Sequence, residues 1–98
     1  MKYRFSGKAR TDINSIWRYT FEHWSLEQAD KYYNQIIAEI KALSENPDRG
    51  RDFYGRGRKY KFSQVESHLI FYREVSSSEI EVIRILHKRM YIINRLSE

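Results

Sequence analysis

The stretch HLIFYREVSSSEIEVIRILHKRM, His68 to Met90, holds two apolar runs, His68–Val75 and Ile80–Leu86, parted by Ser76-Ser77-Ser78-Glu79. Each run has strand length and is rich in β-branched and aromatic residues, and the serines suit a hairpin loop. Both faces of each run are apolar: Leu69 and Phe71 alternate with Ile70 and Tyr72, and Val82 and Leu86 with Ile83 and Ile85. Strands covered on both sides read this way, so the hairpin is expected in the middle of a sheet. The second run ends in a polar cluster, Arg84, His87, Lys88 and Arg89, where the strand leaves the core.

Upstream segments have the patterns needed to cover this hairpin. Lys2–Phe5 alternates as a short edge strand, and Ser6 is placed to cap a helix. From Lys8 to Trp24, Ala9, Ile13, Ile16, Trp17, Phe21 and Trp24 recur mostly at steps of three and four, with Thr20 the only polar residue inside the stripe. Arg10, Asp12, Asn14, Arg18 and Glu22 fall mainly on the other side, and Tyr19 lies off the stripe, free to meet a partner. Ser25-x-x-Gln28 reads as a capping box opening a second helix, whose stripe is Ala29, Tyr33, Ile36, Ile40 and Leu43, widened by Tyr32 and Ile37. That helix stops near Glu45, because Pro47 disfavours helical geometry at Asn46. Two helices so closely joined fold back as an antiparallel pair, and their stripes are expected to be core.

Asn46–Gly57 carries the only proline and three of the four glycines and reads as a loop. Arg58–Phe62 alternates as a strand with one basic face, Ser63–Ser67 turns into the hairpin, and Met90–Leu96 is a short apolar tail of a helical turn or two. The order β-α-α-β-β-β plus a short C-terminal helix defines an α+β fold with an antiparallel meander.

Ninety-eight residues make one domain. Residues 1–48 carry 7 Lys and Arg against 7 Asp and Glu, whereas residues 49–98 carry 11 against 6, the whole basic excess. Within Arg49–Lys61, six cations (Arg49, Arg51, Arg56, Arg58, Lys59, Lys61) meet one acid, Asp52. An acidic partner is implied, either a nucleic acid or an acidic protein segment. The absence of cysteine removes disulfides and cysteine-based zinc sites, and His23, His68 and His87 lack metal-ligand spacing, so no metal or cofactor is expected. With no signal peptide and no run of membrane-spanning length, the expected location is cytoplasmic, with no membrane partner.

Several segments in this order resemble the toxin half of the RelE/ParE superfamily of type II toxin–antitoxin systems, closest to its ParE branch. Ala9-x-x-Asp12-Ile13-x-x-Ile16-Trp17-x-Tyr19-Thr20 is similar to the family's first helix, and Trp24-Ser25-x-x-Gln28-Ala29-x-x-Tyr32 to its inter-helix junction. Asn46-Pro47-x-x-Gly50 and Arg58–Phe62 continue the likeness. Its most specific part is Ser67-His68-x-Ile70-Phe71-Tyr72-Arg73 followed by Ile83-Arg84-Ile85-Leu86-His87-x-Arg89-Met90. The resemblance implies two helices on a curved antiparallel sheet, a ParD-like antitoxin whose C-terminal segment wraps the toxin, and poisoning of DNA gyrase. One departure stands out: ParE-type sequences commonly follow Arg-Met with an acidic residue, and here Met90 is followed by Tyr91. The RelE branch, which cleaves messenger RNA on the ribosome, often uses a tyrosine or a histidine near this position.

Three functional readings follow. As a gyrase-binding toxin, the chain presents Arg58, Lys59, Lys61, Arg73, Arg84, His87, Arg89 and Tyr91 to its target, while Trp17, Tyr19, Tyr32, Tyr60 and Tyr72 meet the antitoxin. As a metal-independent messenger-RNA endonuclease, it uses His87 as base or acid, Arg84 and Arg89 as phosphate clamps and Tyr91 as an auxiliary, with Lys59 and Lys61 on the adjacent strand. Strand alternation works against the second, since it puts Arg84 and His87 on opposite faces unless a bulge intervenes. A plain nucleic-acid-binding module is the third; direct contact with nucleic acid would run through the basic strand, and neither helix offers a free recognition face. The binding toxin is the reading adopted.

Overall fold

The computed structural model describes residues 2–55, 57–90 and 92–96; Tyr91 lies outside them. Strand β1 (Lys2–Phe5) leads into helix α1 (Gly7–His23) and helix α2 (Leu26–Glu45). After a single 3-10 turn at Pro47–Arg49 come β2 (Arg51–Gly55), β3 (Arg58–Val65), β4 (His68–Ser76), β5 (Glu79–His87) and helix α3 (Ile92–Leu96). Both predicted caps form. The Ser6 hydroxyl accepts the Ala9 amide at 3.0 Å and donates to the Ile83 carbonyl at 2.7 Å, while Ser25 accepts the Gln28 amide at 3.0 Å.

The sheet runs β1-β5-β4-β3-β2, so the opening hairpin fills two interior positions, as its two apolar faces require. Strands β3 to β5 form the expected antiparallel meander, β2 adds to it at one edge, and β1 joins β5 in parallel at the other. The expected loop Asn46–Gly57 is corrected: it contains β2. Arg51–Gly55 lacks an apolar face of its own and is held in extended form by pairing with β3, from Arg51 opposite Phe62 to Gly55 opposite Arg58. Strand β3 also continues through the expected turn to Val65, and the chain reverses at Glu66 in left-handed backbone (φ 50°).

The helices cover one face of the sheet. Ala9 and Ile13 of α1 and Ile36, Ile40 and Leu43 of α2 bury against Ile70, Tyr72, Ile80, Val82 and Ile85. The α1 stripe is corrected beyond this point: Phe21 is 46% and Trp24 75% exposed. Burial stops in the first half of α1, so the same three-four spacing there marks an open apolar face. On α2, Tyr32 packs against the core and its neighbour Tyr33 turns outward.

The opposite face of the sheet has a smaller core. Phe71 is fully buried and Leu86 nearly so, with Phe53 set edge-on to Phe71 at 5.6 Å and Phe62 tilted against it at 5.7 Å. Tyr72, on the helical side, fastens the turn before β2: its hydroxyl donates to the Pro47 carbonyl at 2.6 Å and accepts the Gly50 amide at 3.0 Å. A Cβ at position 50 would overlap that hydroxyl, which is why glycine stands there. Nearby, hydrogen bonds from Arg49 and Ser63 outweigh the effect of burial and hold the Glu39 carboxyl below its usual range.

Candidate functional site

The polar end of β5 is shaped by the shortness of β1. Pairing of β1 with β5 ends at Phe5 opposite Val82, and a register shift between Phe71 opposite Arg84 and Tyr72 opposite Val82 leaves Ile83 as an extra residue. Beyond that point α1 supplies the missing edge partners: the Ser6 hydroxyl takes the Ile83 carbonyl, and Asp12 Oδ2 accepts the Ile85 amide at 2.9 Å. The other duty of Asp12 is electrostatic. Arg84 grips it bidentately, Nε to Oδ2 at 2.8 Å and Nη2 to Oδ1 at 3.0 Å, with each side chain only 13% exposed. Arg84 Nη1 also donates to the Arg95 carbonyl at 3.0 Å, tying α3 to the first helix.

Sequence reasoning placed Asp12 among the solvated residues of α1. Its spacing holds the missed signal: Asp12 stands three residues after Ala9 and four before Ile16, on the buried stripe. An acid on such a stripe demands a cation, and Arg84, 72 residues away, supplies it.

His87 lies on the other side of the alternation. The register from Phe71–Arg84 to His68–His87 is unbroken, so the bulge falls before Arg84 and leaves Arg84 and His87 on opposite faces. His87 opens into a cleft of about 510 Å³ lined by Ser15, Ile16, Tyr19, His68, Arg89 and Met90, among others. Its Nδ1 accepts the Arg89 amide at 3.0 Å, which puts the proton of the neutral ring on Nε2. His68 faces it with ring centroids 5.3 Å apart. The Tyr32 hydroxyl donates to the Val65 carbonyl at 3.0 Å and accepts from His68 Nδ1 at 2.6 Å, leaving His68 Nε2 an acceptor.

Burial, reinforced by the charge of the facing His87, pushes His68 down to about 4, against the smaller opposing pull of Asp12. The unfolded chain therefore takes up a proton at His68 near pH 6.5, where the folded chain does not. The stability His68 confers as a neutral ring is complete above pH 6.5 and is lost as the pH falls toward 4. Urea midpoints measured at pH 7.5 and pH 5 are expected to fall for the native chain and to fall less for His68→Phe. Parallel pH slopes for the two proteins would remove His68 as the cause.

The remaining expected site residues are dispersed. Arg58, Lys59 and Lys61 lie on β3, two strands along the sheet order from β5, with Lys59 and Lys61 sharing Asp52 at 3.5 and 3.4 Å. Arg73 pairs with Glu81 at 2.9 Å. Of the five aromatics expected at an antitoxin surface, Tyr19 is 60% exposed. Trp17 is half-buried, donating its indole N–H to Asp30 at 2.9 Å and stacking on Phe21; Tyr32 and Tyr60 are half-buried too. Tyr72 is corrected: it is fully buried and both its hydrogen-bonding roles are used inside the chain. Phe21 and Trp24, which the sequence assigned to the core, stand outside it, and Leu26 is exposed beside them at the helix junction. Among the described residues no cluster of His, Asp and Glu is placed to hold a metal ion, and no helix is long and apolar enough to cross a membrane.

Residues 3–91 match the family described as ParE toxin of type II toxin-antitoxin system, parDE. The chain is 34% identical over 88 residues to Toxin ParE1 of Caulobacter vibrioides, covering 90% of each. It is 30% identical over 95 residues to Toxin ParE1 of Mycobacterium tuberculosis, covering 97% of each. In fold it is similar to a chain of the chromosomal ParDE TA system from P. aeruginosa, with a TM-score of 0.73 over 89% of this chain and 95% of that one, at 21% identity.

Proposed function

Because this chain belongs to the ParE family of toxins of type II toxin–antitoxin systems, we propose that it binds DNA gyrase in the cytoplasm and holds it on cleaved DNA, and that a ParD-like antitoxin neutralises it. The observation that carries the reading is the state of Arg84. A phosphate-clamping arginine must offer its guanidinium to the reacting group, and Arg84 spends its fork on Asp12 and on the Arg95 carbonyl. It also faces away from His87, so the acid–base residue and its clamp do not converge. A binding toxin requires no such convergence. It needs exposed cations and aromatics, and Arg58, Lys59, Arg73 and Arg89 are exposed around the sheet while Lys61 and His87 are half-buried; of the target-facing set expected from the sequence, Arg84 is engaged inside the fold and Tyr91 lies outside the described residues.

The antitoxin reading rests on the cleft beside α1. Ile16, Tyr19 and Met90 give it apolar walls, and Arg89 gives it one charged lip. An amphipathic acidic segment can bury apolar side chains there while its carboxylates meet Arg89. Tyr19 is 60% exposed at this cleft, whereas Trp17, stacked on Phe21, lies in a separate groove with Asn14, Asp30 and Tyr33.

Purified protein is expected to inhibit gyrase supercoiling and to leave cleaved DNA trapped, with message intact in a translating extract. Ribosome-dependent cleavage of messenger RNA that disappears in His87→Ala would overturn this and favour the nuclease. Neither activity, with DNA binding alone, would favour the plain nucleic-acid module.

A further inference from the structure

We propose that the β2–β3 ribbon is a phosphate-binding arm that grips duplex DNA. In the gyrase reading, on which this rests for its biological setting, the DNA is the segment that gyrase holds. The ribbon lies at the free edge of the sheet, where β2 has no outer neighbour. Four described cations project from it, Arg51, Arg58, Lys59 and Lys61, and Asp52 is the only acid between residues 51 and 65. Asp52 is shared by both lysines at 3.5 and 3.4 Å, and a single carboxylate neutralises at most one of them. Arg51 and Arg58 are exposed, and among the described residues no carboxylate lies in ion-pairing range of either. Elsewhere on the sheet and its approaches several cations have acids at hand: Arg49 has Glu39, Arg84 has Asp12, and Arg4 and Arg73 share Glu81. The ribbon concentrates positive charge, with four described cations against one acid.

Its aromatic content also favours nucleic acid over protein. Phe53 and Phe62 are committed to the small core around Phe71. Tyr54, directly across from Lys59, is 70% exposed and offers a hydroxyl to a phosphate oxygen. A protein interface of useful size needs a buried apolar centre, and the ribbon's exposed surface has none beyond that one ring. Phosphate contact needs only charge and donors. A two-stranded ribbon also has the width that the major groove admits. Five residues at about 3.4 Å each span roughly 17 Å, facing on the order of ten phosphate charges at about 1.7 Å of duplex axis per charge.

The test is fluorescence anisotropy of a labelled blunt duplex of mixed sequence, titrated with the purified chain at several salt concentrations. Binding is expected to weaken with salt along a log–log slope of about −0.9 per phosphate contacted. The double variant Arg58→Glu/Lys59→Glu is expected to bind roughly tenfold or more weakly, with the slope reduced by about 2. Arg58→Gln/Lys59→Gln is expected to lose less, and unchanged melting temperatures for both pairs show that the fold survives. Lys31→Glu/Lys41→Glu makes the same change in net charge on α2 and is expected to leave binding near the native value. Equal losses in the α2 control, salt-independent binding, or no binding by the native chain would each overturn the proposal. So would a ribbon variant that keeps DNA and loses an acidic antitoxin peptide. Supercoiling assays on the same proteins separate the two readings: gyrase inhibition without DNA binding removes the ribbon proposal alone, and DNA binding without gyrase inhibition removes the gyrase reading alone.

Discussion

Asp12→Ala is expected to destabilise the chain by about 3–5 kcal/mol, because it strands the nearly buried guanidinium of Arg84 without its counter-charge. It also removes the acceptor of the Ile85 amide at the one place where β5 has outrun β1. For a domain of this size each kcal/mol moves the melting midpoint by roughly 4–8 °C, so the midpoint should fall by about 12 °C or more. Asp12→Asn keeps an oxygen for the Ile85 amide and loses the charge, and should fall between the two. Hydrogen exchange gives an independent reading, since the Ile85 amide should lose protection in Asp12→Ala and keep most of it in Asp12→Asn. A loss under about 1 kcal/mol with Ile85 still protected would show that Asp12 is not the partner holding this edge.

Phe71→Ala should be comparably damaging, at about 3–5 kcal/mol, although Phe71 faces away from both long helices. The ring is fully buried because Phe53 and Phe62 close over it, and its removal opens a cavity that the paired strands cannot collapse into. Phe53→Ala, on the edge strand and half-exposed, should cost clearly less. Denaturant midpoints for the two variants decide the matter. Equal costs, or a larger cost for Phe53→Ala, would mean that the aromatic trio shields the surface without forming a second core. Since whole domains of this kind are held by about 5–15 kcal/mol, either Asp12→Ala or Phe71→Ala takes a large share of the total.

The parts of the fold that were legible in the sequence are those fixed by local chemistry. Ser6 and Ser25 cap where their positions require, and the two-sided apolar runs around Ser76–Glu79 become interior strands. What escaped was fixed by partners distant in the chain. Strand β2 has no periodicity to find, because β3 imposes its extension. Tyr32 and Tyr33 are about equally near the helix stripe, and the position of the sheet selects one. Phe21 and Trp24 obey the helical repeat perfectly well; only the point where core packing stops distinguishes them from Ile13. At the site, the cations were readable as a group, but which of them are engaged was not. Arg84 and Arg89 look alike in sequence, and one is locked to Asp12 while the other edges an open cleft.

The parallel seating of β1 on β5 sets a clock on the ribosome. Lys2–Phe5 are made 77 residues before their partners, Glu79–Val82. At about 5–20 residues per second the nascent β1 segment waits several seconds to meet them. Asp12 and Ser6 wait for the same strand, so the sheet-facing anchors of α1 stay unmade until β5 emerges. A chain stalled before β5 therefore lacks the assembled edge, the hydrogen bond to α3 and the histidine-lined cleft together. The surface is finished only after β5 has emerged, so an antitoxin made earlier has the whole of that interval to be in place.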